Sequence, residues 1–146
     1  MRKILNLVII FMLTISANAR NEINTIPIDS MKRTKENSEH YTWGDNCSGW
    51  HLVKSQKLSI IEELMPPNTQ EKKHFHEFSE QFFRILNGTA TFEIENEIIK
   101  VEKGQGVHIP PGTKHKIRND QSQNLEFIVI SRPTTRGDRY NEPFEE

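Results

Sequence analysis

The chain has very little cysteine, with Cys47 alone among its 146 residues. A single thiol excludes an intramolecular disulfide, so packing has to stabilise the fold even in an oxidising compartment. We interpret Cys47 as a partly buried apolar residue, with a reactive thiol or a metal ligand as the alternative.

The chain also lacks an excess of positive charge. It has 19 Lys and Arg against 20 Asp and Glu, a formal net charge of −1. This balance gives no electrostatic reason to expect nucleic acid as a partner, since phosphate binding relies on a basic face, so a small molecule is the expected partner. The length, with 34% hydrophobic and 27% charged residues, is typical of one soluble globular domain.

Only one long apolar run is present, and it stands at the N-terminus. Arg2 and Lys3 precede the run ILNLVIIFMLTIS, which is followed by Ala17-Asn18-Ala19. This order predicts a cleaved signal peptide over residues 1–19, because the run is shorter than the roughly 20 residues that span a bilayer. A retained membrane helix is the alternative. Cleavage removes two positive charges and leaves a net charge of −3. We therefore expect a secreted or periplasmic protein with no stable membrane anchor.

After residue 40 the sequence lacks any long segment with both helix start and stop signals. Short runs of β-branched and aromatic residues instead alternate with turn residues, which is typical of an all-β sandwich or barrel. The predicted strands are GWHLVK, LSIIEELM, KKHFH, QFFRILN, ATFEIE, EIIKVE, GVHIP, HKIRN and LEFIVIS. We place a polar N-terminal arm at residues 20–40, the barrel at 41–131 and a solvated C-terminal tail at 132–146. We assign no function to the sequence Arg136-Gly137-Asp138 within that tail.

Two histidines carry the first chemical signal. His74 and His76 stand two residues apart, so on an extended strand their imidazoles project from the same face while Phe75 turns the other way. Two imidazoles placed in this way can share one cation. The pair alone is a weak predictor of a metal site, since this spacing also arises by chance.

A second segment makes the pattern specific. Gly104, Pro110, Gly112, His115 and Asn119 match every position of the second motif of the cupin family, which the chain resembles over residues 50–131. The first cupin motif is matched by Asn68, His74, His76 and Gly88, with asparagine in place of the usual first glycine. That replacement is mild, because asparagine tolerates the left-handed backbone region.

The resemblance leaves the fourth ligand open. Counting forward from the histidine pair points to Glu80, and counting back from Gly88 points to Gln81. Strand alternation places Glu80 on the same face as Arg84, and a buried arginine beside a divalent cation is unfavourable. We therefore favour Gln81 as the inward group.

A cupin resemblance implies a double-stranded β-helix, or jelly-roll barrel, in a small single-domain monocupin. It implies one divalent metal ion held by His74, His76, Gln81 and His115. Iron, manganese, nickel, copper, cobalt and zinc remain open, because imidazole selects among them weakly. An amide ligand in place of a carboxylate leaves the ion its full charge and provides no internal base. We expect apolar walls from Phe83 and Ile85.

Fold alone does not determine chemistry. Our leading hypothesis is a metal-dependent enzyme, a dioxygenase or isomerase, acting on a small organic substrate that chelates the metal. The alternative is a non-catalytic module that binds a carbohydrate or another small molecule. The resemblance also implies a homodimer. His108 is expected to face outward, and Trp43 and Trp50 are interpreted as packing anchors, with a roof over the pocket as the alternative.

Overall fold

The structure is a computed structural model, which describes residues 27–143. The chain divides into two compact units, Met1–Met31 and Lys32–Glu146. Of the first unit, the described part contains a short 3-10 turn, Ile28–Met31. The predicted signal peptide and the first residues of the predicted arm lie outside the described residues. In the described part of the chain no helix is long and apolar enough to cross a membrane.

The second unit is built from strands, preceded by a 3-10 turn at Lys35–Asn37. The strands are β1 (Glu39–Trp43), β2 (Cys47–Lys54), β3 (Ser59–Met65), β4 (Thr69–Gln70), β5 (His74–Phe75), β6 (Glu80–Asn87), β7 (Thr89–Ile94), β8 (Glu97–Glu102), β9 (Gly106–Ile109), β10 (His115–Asn119), β11 (Leu125–Arg132) and β12 (Tyr140–Asn141). Each of the nine predicted segments contains a strand, and β1, β4 and β12 were not predicted.

The strands form two antiparallel sheets. One sheet has the order β1-β2-β3-β11-β6-β9, and the other has the order β12-β5-β10-β7-β8, with β4 paired to β10. Most neighbours, such as β3 and β11 or β5 and β10, are not consecutive in sequence, which is the connectivity of a jelly roll. The predicted all-β class and jelly-roll architecture are confirmed.

Strand alternation explains the core between the sheets. Along β11 the side chains alternate strictly, with Leu125, Phe127 and Val129 buried and their neighbours partly exposed. Other strands contribute their inward residues to the same apolar cluster, whose members include Met65, Phe83, Ile85, Ala90, Phe92, Val101, Ile109, Ile117 and Cys47. Cys47 is a free, buried thiol, in agreement with its interpretation as an apolar residue.

Two asparagines hold the turns around the barrel end. Asn68 has a φ of 58°, which explains why asparagine can replace the usual glycine at this position. Asn119 is buried, and its side-chain amide donates to the carbonyl oxygens of Met65, Pro66 and Gln123 at 2.8 to 3.1 Å. The motif asparagine therefore ties three backbone carbonyls to the end of β10.

The predicted arm contacts the barrel through Lys35. Its Nζ lies 2.7 Å from a carboxylate oxygen of Glu62 and 4.8 Å from the centre of the Trp50 ring. The domain also starts earlier than predicted, because β1 begins at Glu39 and pairs with β2. Cross-strand pairing, which the polar composition of this stretch does not reveal, sets that boundary.

The prediction that residues 132–146 form a solvated tail is wrong at Asp138, and residues 140–141, although exposed, form a strand. Asp138 is buried, and Tyr140 and Asn141 pair with β5 as strand β12. The Tyr140 ring stacks on Phe75 at 5.1 Å. This segment therefore runs beside the strand that carries His74.

Candidate metal centre

Three buried histidines meet between the two sheets. His74 and His115 are directly opposite each other on β5 and β10, and His76 follows β5 on the same face. Their candidate ligand nitrogens all lie within 4.8 Å of one another. The antiparallel register of these strands therefore brings together the two sequence motifs.

Backbone carbonyls set the orientation of all three imidazoles. Nδ1 of His74 lies 3.0 Å from the carbonyl oxygen of Lys72, and Nδ1 of His115 lies 2.9 Å from that of Thr113. Nδ1 of His76 makes a short contact with the carbonyl oxygen of Asp138. A carbonyl oxygen only accepts, so each Nδ1 carries the hydrogen and each Nε2 keeps its lone pair. Such outer partners are the usual way in which proteins orient metal-binding imidazoles.

The Gln81 side chain lies against this cluster. Its Oε1 is 2.9 Å from Nε2 of His115, and its Nε2 is 3.3 Å from the hydroxyl oxygen of Ser131 on the neighbouring strand. Glu80 lies on the opposite face of β6, where it pairs with the exposed His108 at 3.0 Å. Both placements follow the predicted strand alternation, and His108 faces outward as predicted.

The polar atoms of the cluster fit a cation. Nε2 of His76 is buried and has no hydrogen-bond partner. Nε2 of His115 and Oε1 of Gln81 both present lone pairs, because the ring hydrogen of His115 is on Nδ1. A cation between these atoms would satisfy all of them, so the donor set fits a divalent metal of the imidazole-binding group.

Burial keeps the imidazoles neutral. Removal from water lowers the pKa of His74 to about 3, and the nearby Arg139 guanidinium adds to this shift. Burial also lowers the pKa of His115 to about 4, with His74 contributing, and lowers the pKa of His76. Neutral imidazole is the form that binds metal, so no proton has to leave the rings near pH 7.

The C-terminal segment brings Arg139 to the cluster, where it pairs with Glu71, and the sequence did not predict this contact. Nη1 of Arg139 lies 3.1 Å from Nε2 of His74 and 2.9 Å from Oε1 of Glu71. That Glu71 oxygen is 3.8 Å from the same His74 nitrogen, and the other Glu71 oxygen is buried without a partner. No spacing rule links residues 65 positions apart, so the sequence carried no signal for this contact.

A cleft of about 890 Å³ opens beside this pair. Most of its lining residues are of polar or charged types; they include Tyr41, Trp43, Asp45, Glu63, Gln70, Glu71, Lys72, Lys73, Glu93, Lys116, Arg139, Asn141 and Glu142. Phe83 and Ile85, which were predicted as apolar walls of the metal site, do not line this cleft, because both are buried in the core. Phe83 instead packs edge-on against the His115 ring, with ring centres 6.2 Å apart.

One buried acid lines this cleft. Oε1 of Glu63 accepts a hydrogen bond of 2.6 Å from the Tyr41 hydroxyl. The Tyr41 ring crosses Gly49, where a Cβ would lie 2.4 Å from the ring, so glycine makes the contact possible. Burial raises the pKa of Glu63 to about 8, more than the Tyr41 hydrogen bond lowers it. Glu63 is therefore a protonated acid near neutral pH.

The aromatic residues near the N-terminus have two roles. Trp43 packs against the core and also lines the cleft, so it combines the two interpretations considered for it. Trp50 lies outside the cleft lining, between His40, with ring centres 5.1 Å apart, and the Lys35 ammonium.

Comparisons with known proteins agree with this geometry. The Cupin domain family matches residues 61–131. An uncharacterised protein of Methanocaldococcus jannaschii is 34% identical over 83 residues, which cover 57% of this chain and 66% of that protein, just under two thirds of its length.

Two solved structures share the fold. A predicted oxalate decarboxylase of Thermotoga maritima superposes with a TM-score of 0.65 at 17% identity, covering 70% of this chain and 99% of that one. A sugar phosphate isomerase of the cupin superfamily from Silicibacter pomeroyi gives 0.67 at 16% identity, with 78% and 83% covered. Residues 61–131 thus match the Cupin domain family, and the fold is shared with a structure of the cupin superfamily.

Proposed function

We propose that this protein is a metal-dependent enzyme of the isomerase type, acting on a small organic substrate that chelates the ion through oxygen atoms. One observation carries the proposal: three buried imidazoles present their Nε2 atoms to one another, and that of His76 has no partner. We assign His74, His76, Gln81 and His115 as the residues that hold the ion. A bound divalent ion would supply Lewis acidity that polarises a substrate carbonyl.

The remaining chemistry falls to groups of the cleft. Gln81 contributes no negative charge, so the site needs a proton donor or acceptor from elsewhere. Glu63 lines the cleft, carries a raised pKa and is held by Tyr41, which suits it to give and take a proton near neutral pH. This acid favours isomerisation over oxygenation, since moving a proton along a substrate requires such a group. The sugar phosphate isomerase of Silicibacter pomeroyi gives this reaction class a precedent on the same fold.

Metal stoichiometry tests the site. Protein loaded with each candidate metal and then dialysed should retain about one ion per chain, measured by elemental analysis. His76→Ala and His115→Ala should lose it, and the matched control His108→Ala should retain it, because His108 is exposed. Equal retention by all three variants would refute the assignment.

Proton transfer is tested separately. The metal-loaded protein is incubated in heavy water with a panel of small hydroxyketones and hydroxyaldehydes. It should exchange the carbon-bound hydrogen next to the carbonyl of at least one of them, and NMR measures this exchange. Glu63→Gln should abolish exchange while metal content stays unchanged. Binding of panel compounds, seen as thermal shifts, without exchange on any of them would favour the non-catalytic binding module.

We further propose, from the sequence, that the chain is exported and that its signal peptide, residues 1–19, is removed. We also propose that the mature chain forms a homodimer. Mass spectrometry of the protein recovered from the periplasm or medium tests the first statement. Sedimentation of the mature chain with and without residues 20–40 tests the second. A monomer in both forms would refute it.

A further inference from the structure

Arg139 lies at the junction between the histidine cluster and the cleft. Besides its contacts to His74 and Glu71, its Nε donates to the side-chain oxygen of Asn141 at 3.0 Å and its Nη2 to the carbonyl oxygen of Lys72 at 3.3 Å. The guanidinium is thus held by four groups, and one of these is the nitrogen through which His74 would bind a metal.

The His74 nitrogen can serve only one of these partners at a time. Since the Nδ1 hydrogen points to the Lys72 carbonyl, Nε2 has one lone pair, and an N–H of Arg139 uses it. A metal ion at the same lone pair would also face a like charge at close range. The ion therefore has to displace the guanidinium from this contact.

We propose that Arg139 and the metal ion compete for Nε2 of His74, and that the released guanidinium binds an anionic group of the substrate, such as a carboxylate or phosphate. This inference rests on the metal site of the proposed function and names the substrate class of that site.

The backbone around Arg139 is fixed, so the exchange involves its side chain. Asp138 accepts hydrogen bonds from the backbone N–H groups of Glu77 and Ser79 at 2.9 Å each. Tyr140 and Asn141 pair with β5. A guanidinium that leaves His74 can keep its contact with Glu71 and remain in the lining of the cleft.

Charge balance favours an anionic ligand at this place. Three neutral imidazoles and one amide leave a divalent ion its full charge, and the charges of Arg139 and Glu71 cancel. The free N–H groups of an arginine also match carboxylate and phosphate oxygens in a bidentate arrangement. Metal and anion are then expected to strengthen each other's binding, because each favours the same position of Arg139.

Zinc titration of the folded protein, with and without acetate at constant ionic strength set by chloride, tests this inference. Arg139→Gln removes the competing charge and should bind zinc about tenfold more tightly than the wild type, a typical coupling. Arg139→Lys, which keeps a charge but loses the planar fork, should fall between them. Arg118→Gln, a control at an arginine paired with Asp120 away from the cluster, should leave affinity unchanged.

Acetate should tighten zinc binding by the wild type and leave Arg139→Gln unaffected. Unchanged or weaker zinc binding in both Arg139 variants overturns the competition. An equal acetate effect in wild type and Arg139→Gln overturns the anionic role. If no variant binds zinc, including Arg139→Gln, both the metal site of the proposed function and this inference are overturned. If the wild type binds zinc and the Arg139 substitutions have no effect, only this inference is overturned.

Discussion

Replacing Glu63 by glutamine should change how the stability of this protein depends on pH. The folded pKa of this carboxyl is about 8, against an ordinary value of 4.5. Between these two values the unfolded chain ionises Glu63 and the folded chain keeps it protonated. The folded state binds more protons in that window, so Glu63 makes the wild type progressively less stable as pH rises from about 4.5 to 8.

The size of the effect follows from the shift. Each pKa unit corresponds to about 1.4 kcal/mol, so the loss approaches about 5 kcal/mol once pH exceeds the folded pKa. This is an upper figure for a buried acid that can relax on ionisation. Glutamine does not ionise, and its amide oxygen can still accept the Tyr41 hydrogen bond, so the variant should lack this loss.

Urea unfolding at several pH values between 4 and 9 measures the difference. Glu63→Gln and the wild type should have similar free energies of unfolding near pH 4, and the variant should be more stable by about 4 kcal/mol near pH 9. Glu62→Gln is the matched control, because Glu62 lies on the other face of β3 and pairs with Lys35. Parallel curves for Glu63→Gln and wild type would refute the assignment of a protonated buried acid.

Two further variants test the polar groups that hold the barrel end. Asp138→Ala removes the carboxylate that accepts from four side-chain and backbone donors and should lower the free energy of unfolding by about 3 kcal/mol. The backbone carbonyl that orients His76 remains in this variant, but it loses the carboxylate contacts that hold it in place, so zinc binding should also weaken. A loss no larger than that of the exposed Asp120→Ala would contradict this role. Asn119→Ala leaves three carbonyl groups without their shared donor and should cost about 3 kcal/mol in urea unfolding. The same cost in the exposed Asn124→Ala would show that the network is unimportant.

Much of the fold could be predicted because it depends on local patterns. Short runs of β-branched and aromatic residues located nine of the strands, and turn residues separated them. Strands β4 and β12 have only two residues each, so they carry no alternation to detect. Strand β1 is polar and mostly exposed, and its pairing with β2 defines it.

The candidate site was predictable where the spacing of residues along one strand decides which way their side chains point. His74 and His76 share a face because they are two residues apart, and Gln81 points inward because Glu80 next to it points outward. Phe83 and Ile85 were placed on the correct inward face, but they belong to the core and do not line the cleft. Alternation tells inward from outward, and it does not tell a core from a cleft.

By itself, the sequence determined the barrel, its turns and the three imidazoles that face one another, because periodicity and motif spacing are properties of short stretches of chain. Only the tertiary structure decided which ionisable groups line the neighbouring cleft. Glu63, Glu71 and Arg139 meet at the cleft through strand register and through the return of the C-terminal segment along β5. Contacts between residues so far apart in sequence form only when the sheets close. No local sequence pattern predicts them.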